Sequence, residues 1–316
     1  NCLFMQTRSS LLPTLAIAFN ALVWGVLWWP VHLLRDFGVH ALWVTLLSYS
    51  AAITVLLLWR PGILQAFKKH KLLWLMMLTS GATNACFNWA VSIGDVMRVV
   101  LLMYLMPVWS LLLSWFLSKK SPSSTDFVSV ALALSGVVLV LQPEGSGWRS
   151  FSLPVPRSLP DMLALASGMT FACTSTLLNR MSEVPAMSKV LAMFGGGVAF
   201  STIIISVSFL LGTGTIAPLP ALRWQWPLVL VLLSLTLISC NVMMQYGASR
   251  MPPHTLSLLM TLEVPFAAIS SSLLGAAHLS GRILLGGALV MAAVLLSALN
   301  TSRHAQFFRK YYKQKS

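Results

Sequence analysis

Apolar residues run along this chain in blocks of about twenty, with short polar clusters between them. A helix of roughly 20 apolar residues crosses about 30 Å of hydrocarbon. Ten blocks approach that length, at 11–31, 39–59, 72–93, 97–117, 126–142, 160–180, 187–211, 226–248, 254–275 and 281–300. The pattern predicts an all-α integral membrane protein with ten transmembrane helices. The first block contains Ala16-Ile17-Ala18, the outline of a signal-peptidase site, but it stays apolar to Val31, longer than a signal core. It is therefore expected to be the first span. The chain opens on Asn1 rather than Met, so further residues are expected ahead of it.

Leu101-Leu102-Met103 recurs as Leu258-Leu259-Met260, 157 residues later, and each copy leads to a proline, Pro107 or Pro265, 158 residues apart. Between 142 and 160 lie Pro143, Gly145, Gly147, Pro154, Pro156 and Pro160, which stop either neighbouring helix. Five blocks stand on each side of this segment. An odd number of spans per copy makes the second insert upside down relative to the first, as in many secondary transporters. The expected organisation is a five-helix repeat over 1–142, an extracytoplasmic linker over 143–159, an inverted five-helix repeat over 160–300 and a basic cytoplasmic tail over 301–316. Span one then pairs with span six, setting Asn20 opposite Ser167, Trp24 opposite Phe171 and Trp28 opposite Ser175.

Composition agrees: 57% of residues are hydrophobic, 9% are charged, and the mean hydropathy is +0.80. That leaves too little polar surface to coat a soluble body of 316 residues. The net charge of +14 is explained by placement. With ten spans, fifteen of the 21 basic residues fall on one side, among them Arg60, Lys68, Lys69, Lys71, Lys119, Lys120 and those of the tail. Arg35, Arg98, Arg149, Arg157, Arg223 and Arg282 fall on the other. This positive-inside bias predicts both termini in the cytoplasm, and it removes the reason to invoke nucleic acid. The tail, Gln306 to Lys313, mixes aromatic and basic residues, and is either a contact for anionic headgroups or a solvated end. The four cysteines, Cys2, Cys86, Cys173 and Cys240, have no metal-ligand spacing, and neither metal nor cofactor is expected.

Polar side chains inside the blocks are the candidate chemistry, because hydrocarbon leaves them no partner. Ser80, Asn84 and Asn88 recur every four residues in span three, with Thr83 and Trp89 nearby, and Ser234, Asn241 and Gln245 share a stripe in span eight. Such stripes either line a substrate cavity or bond one helix to another. Asn20, Trp24 and Trp28 repeat the spacing in span one, with the tryptophans as a possible aromatic wall. Ser175 and Tyr104 complete the expected cavity, while Trp29 fits a membrane-interface belt. Glu263, deep in span nine, costs on the order of 3 kcal/mol to insert charged. Either it takes a proton or a substrate amine, or it hydrogen-bonds structurally near Pro265. Pro107 and Pro265 each remove a backbone bond, giving hinges or fixed bends. Asp95 and Arg98, three apart, form either an outer gate pair or a local surface pair. Gly195-Gly196-Gly197 is expected to bring helices close.

Two five-span halves, each with a Leu-rich run into proline at its fourth span, glycine in the fifth spans (Gly136; Gly286 and Gly287) and Tyr246-Gly247-Ala248 closing span eight, resemble the drug/metabolite transporter superfamily, EamA type. The resemblance covers nearly the whole chain. It implies a secondary transporter of amino acids, other metabolites or drugs. Two departures stand out: Val264 separates Glu263 from Pro265 where many members have Glu next to proline, and Ser118-Lys119-Lys120 and Ala276-Ala277-His278 stand where members often carry Gly-Glu.

The expected function is thus export of small organic solutes, amino acids or related metabolites, by alternating access around a central cavity in a bacterial inner membrane. Only the solute and the bilayer are expected partners. A membrane enzyme is the competing class. Against it, the chain has no His-Glu-x-x-His, Gly-x-Ser-x-Gly or phosphate-loop pattern, and His32-x-x-x-Asp36 is one residue short of an acyltransferase spacing. A sensory role would bring a soluble domain, and no loop here is long enough to hold one.

Overall fold

In a computed structural model, residues 2–105, 124–140, 158–181, 183–248, 259–275 and 280–296 are described, with isolated positions 108, 109, 112, 113, 116, 142, 156, 250 and 256. Pro107, the tail and most of the linker lie outside the described residues, as do the side chains of Gln245 and Asn179. Among the described residues every regular element is helical. The longer helices are α1 (Cys2–Val26), α2 (Trp28–Asp36), α3 (Ala41–Trp59), α4 (Leu72–Ile93), α5 (Val96–Met103), α6 (Ser124–Val140), α7 (Leu159–Arg180), α8 (Ala186–Leu210), α9 (Gln225–Ala248), α10 (Glu263–Leu273) and α11 (Gly281–Leu296), with short helical turns at Pro61–Leu64 and Gln65–Lys69 between α3 and α4.

Five stretches are long and apolar enough to cross a membrane: Leu11–Asp36, Ala41–Trp59, Leu159–Leu178, Ala186–Leu210 and Gln225–Met244. Phe127–Val140 and Gly281–Leu296 are shorter apolar helices. Helix α4, 22 residues long, is not among the five, because Thr79, Ser80, Thr83, Asn84 and Asn88 dilute its hydropathy. It stands sheltered instead, packed against α2, α3, α5, α7 and α8.

The first span is broken where the sequence predicted one uninterrupted helix. Backbone pairing lapses at Leu27, three residues before Pro30, and α2 restarts with Pro30 as its third residue. Proline is tolerated in a first turn, whose N–H groups have no helical acceptor. Pro265 occupies the same third place in α10, behind a break at Thr261 and Leu262. Helix α5 stops at Met103, with Tyr104 and Leu105 outside it, two residues before Pro107. The breaks at Tyr104 and Thr261 are 157 residues apart, the repeat spacing itself. Pro265 is exposed, and Glu263 sits in the first turn of a helix rather than in mid-helix.

Helix α1 packs on α9 and α10, far from it in sequence, while α7 packs on α4 and α5. Helix α3 touches α8 and α9, and α4 touches α8. Glycines set the closest approaches. A Cβ on Gly25 would lie 2.8 Å from the Glu263 carbonyl oxygen, and one on Gly168 would lie 2.6 Å from that of Met103. Gly136 and Gly286 face each other across α6 and α11 at 2.5 and 2.7 Å on the same measure. On α8, a Cβ at Gly196 would collide with the Met77 carbonyl oxygen and one at Gly197 with the Tyr49 ring, whereas Gly195 has only the end of the Met77 side chain, 3.5 Å away.

These neighbours make Gly196→Ala destabilising by about 1–3 kcal/mol, since backbone cannot yield as a flexible side chain does. Gly195→Ala is expected to be tolerated. Thermal melting of the two purified variants checks this: equal melting temperatures would refute the α4/α8 contact.

Candidate functional site

Polar residues singled out in four stretches of the sequence, Asn20 and Trp24, Asn84 and Asn88, Tyr104, and Glu263, converge on one interior cluster. Its centre is the buried Cys240 on α9. Asn20 of α1 donates from Nδ2 to the Cys240 carbonyl at 3.1 Å and lies 2.9 Å from its Sγ. Trp24, one turn further along α1, and Glu263 both neighbour the same thiol. From α3, Tyr49 approaches Asn88 and Cys240 and donates to Asn84 Oδ1 at 2.8 Å. Asn84 donates in turn to the Ser80 carbonyl, 2.9 Å away and four residues back. Asn88 donates to Thr45 Oγ1 at 2.8 Å. Thr45 has already given its hydroxyl proton to the Ala41 carbonyl, which fixes the direction of the Asn88 bond.

Glu263 and Tyr104 join the two halves. The Tyr104 hydroxyl, just past the end of α5, donates to Glu263 Oε2 at 3.0 Å. Both groups sit at helix breaks, so the bond links the end of α5 to the start of α10. The first turn of α10 places Glu263 at the positive end of a helix dipole, which lowers the cost of a carboxylate there.

Other expected cavity residues stand elsewhere. Trp28 donates from Nε1 to Ser270 Oγ at 2.9 Å, and Ser270 donates to the Gly25 carbonyl, fastening α2 to α10. Asn241 donates to Leu237 on its own helix and lines an apolar cleft between α3, α8 and α9 with Ala52, Leu56, Trp59 and Phe194. That cleft, about 30 Å³, has room for about one water molecule. Ser175 is half-buried on α7, a residue beyond Thr174, and it is Thr174 and Thr170 that bond α4, at Thr79 and Thr83. Thr45, Tyr49 and Cys240 were missed as site residues. Thr45 and Tyr49 carry the same four-residue spacing that marks span three, which would have found them.

At the end of the bundle where α5 and α7 begin, Asp95 caps α5 by accepting from the Arg98 backbone N–H at 2.8 Å. The Arg98 guanidinium reaches Asp161 bidentately, at 2.7 and 2.9 Å, and also donates to the Val140 carbonyl at 3.1 Å. The pair expected within one turn is thus a clamp across α5, α6 and α7, with Asp161 almost fully buried.

Long apolar helices around a polar interior define a multi-pass membrane protein. Residues 11–142 match the EamA-like transporter family, part of the drug/metabolite transporter superfamily. A solved crystal structure, described only as that of a protein, is 19% identical, with 94% of this chain and 98% of the other aligned at a TM-score of 0.54. At that identity the likeness speaks for the fold alone. A search of curated proteins returned no match.

Removing one partner of the clamp leaves a sheltered charge unpaired, which costs roughly 3–5 kcal/mol in buried pairs and less here, where Arg98 is partly exposed. Asp161→Leu is expected to lower the melting temperature, and adding Arg98→Leu to restore much of the loss. Additive losses in the double variant would show that the two side chains act independently.

Proposed function

We propose that this protein is a secondary carrier of small organic solutes, exporting amino acids or related metabolites by alternating access around the polar cluster. Ten transmembrane helices in two inverted five-helix repeats are the architecture this requires, and the packing favours it. Exchanging α1 with α7, α3 with α8, α4 with α9, α5 with α10 and α6 with α11 turns the α4/α7 contact into α9/α1, α4/α8 into α9/α3, and α5/α7 into α10/α1, all of which occur. The α3/α8 and α6/α11 contacts map onto themselves.

The observation that carries the function is the Tyr104–Glu263 bond between two broken helices. Interrupted spans meeting near the middle of a bundle form substrate and ion sites in repeat-built carriers. In this reading Asn20, Trp24, Asn84, Asn88 and Tyr104 line the site, with Trp28, Ser175, Asn241 and Gln245 at its margins. Glu263 carries the proton, and Pro107 and Pro265 hold the breaks. Counterflow into proteoliposomes with labelled amino acids, nucleosides and cationic drugs tests carriage directly. Failure of all three classes would remove the carrier assignment.

Two further outcomes are expected. Glu263→Gln, which cannot change charge, should abolish acceleration by an imposed pH gradient while exchange without a gradient continues; a wild type indifferent to the gradient would make the protein a facilitator. The positive-inside bias puts both termini in the cytoplasm of a bacterial inner membrane and residues 143–159 outside. Cysteine labelling that finds the C terminus outside would sink the ten-span topology.

A further inference from the structure

In the cluster around Cys240 each amide nitrogen and phenol already has an acceptor, while two amide oxygens are left over. Asn20 Nδ2 is committed to the Cys240 carbonyl, Asn84 Nδ2 to Ser80, Asn88 Nδ2 to Thr45, the Tyr49 hydroxyl to Asn84 and the Tyr104 hydroxyl to Glu263. These bonds also fix the amide orientations, because a carbonyl or an already donating hydroxyl can only accept. Asn20 Oδ1 and Asn88 Oδ1 are left without a partner, in residues only 2% and 6% exposed. A buried acceptor that finds no donor costs about 1–3 kcal/mol, so a ligand that supplies donors recovers that cost.

The charge balance of the cluster points the same way. Glu263 is its acid, and among the described residues no ion pair brings a cation to it. Trp24, Tyr49 and Tyr104 add aromatic faces, which attract cations and accommodate an apolar body. The other buried side-chain atoms without partners are Trp109 Nε1 and the hydroxyls of Ser48, Ser129 and Ser201. Of these only Trp109 is confined to donating, and it lies five residues beyond Tyr104.

We propose that this cluster recognises a cationic primary amine through Asn20 Oδ1 and Asn88 Oδ1 and discriminates against solutes whose polar end is a carboxylate. An ammonium group brings three N–H donors to buried oxygens that lack one; a carboxylate brings only acceptors. The proposal rests on the carrier assignment and moves its solutes from free amino acids to related amines whose acid group is absent or masked.

Three probes of equal size separate the possibilities: 2-phenylethylamine, 2-phenylethanol and phenylacetate, each titrated against the full chain in lipid nanodiscs with thermal stabilisation as the readout. The amine is expected to bind at least about tenfold more tightly than the alcohol, as hydrogen bonds to a charged group imply, and phenylacetate not to bind. Asn20→Leu and Asn88→Leu should each weaken the amine about tenfold and leave the alcohol unchanged. Equal or tighter binding of the alcohol or the acid overturns the proposal, and this comparison needs only the wild type. So does a loss of melting temperature in the asparagine variants with the amine preference intact, which would make both residues packing groups. If none of the probes binds while counterflow finds another solute, the amine class is wrong and the carrier stands. If counterflow fails as well, both fall.

Discussion

Hydrocarbon offers a peptide group no hydrogen-bond partner, so any backbone freed from a helix must be covered by protein. Three breaks, at Leu27, at Tyr104 and Leu105, and at Thr261 and Leu262, put this chain under that constraint. The close packing follows from it. Gly25 lets α1 lie against the Glu263 carbonyl at the start of α10, and Gly168 lets α7 lie against the Met103 carbonyl at the end of α5. A side chain at either glycine would hold the covering helix away from the exposed backbone. The sheltered volume that results is where asparagines and a carboxylate are tolerated.

Polar groups at the two depths behave differently. At the end where α5 and α7 begin, charge is matched by charge: Asp161 takes both arms of Arg98, and the third guanidinium nitrogen covers a carbonyl at the end of α6. Such a clamp is complete in itself. In the middle, Glu263 has a phenol and a helix terminus in place of a cation, and two amide oxygens face no donor. The first arrangement favours one fixed packing, whereas the second leaves binding capacity unused.

Much of this was legible in the chain. Apolar blocks located most of the helices, and the Leu-Leu-Met repeat picked out two places where helical pairing breaks, at Tyr104 and at Thr261. Asn20, Trp24, Asn84, Asn88, Tyr104 and Glu263 stood out because polarity in an apolar block is expensive, and the same expense draws them together. Connections between spans were not legible. Arg98 reaches Asp161, 63 residues away, while Asp95 on the same turn caps its backbone N–H. Pro30 passed unnoticed because an apolar count does not register a missing N–H. Trp28 and Asn241 share their stripes with cluster residues, yet one anchors α10 and the other faces an apolar cleft. Spacing gives a face of a helix, and the neighbours decide what that face meets.

The partners of α1 have a consequence for synthesis. Asn20 finds Cys240 220 positions further along the chain, and α1 as a whole leans on α9 and α10. At roughly 5–20 residues per second, translation leaves the first helix waiting on the order of 10–40 s for the segments that cover it. During that interval an asparagine and a broken helix sit in the membrane uncovered, dependent on lipid headgroups, insertion machinery or a temporary neighbour. The N-terminal half is therefore an intermediate that the ribosome must finish before it can close, and truncations that stop short of Cys240 leave the first span without its seat.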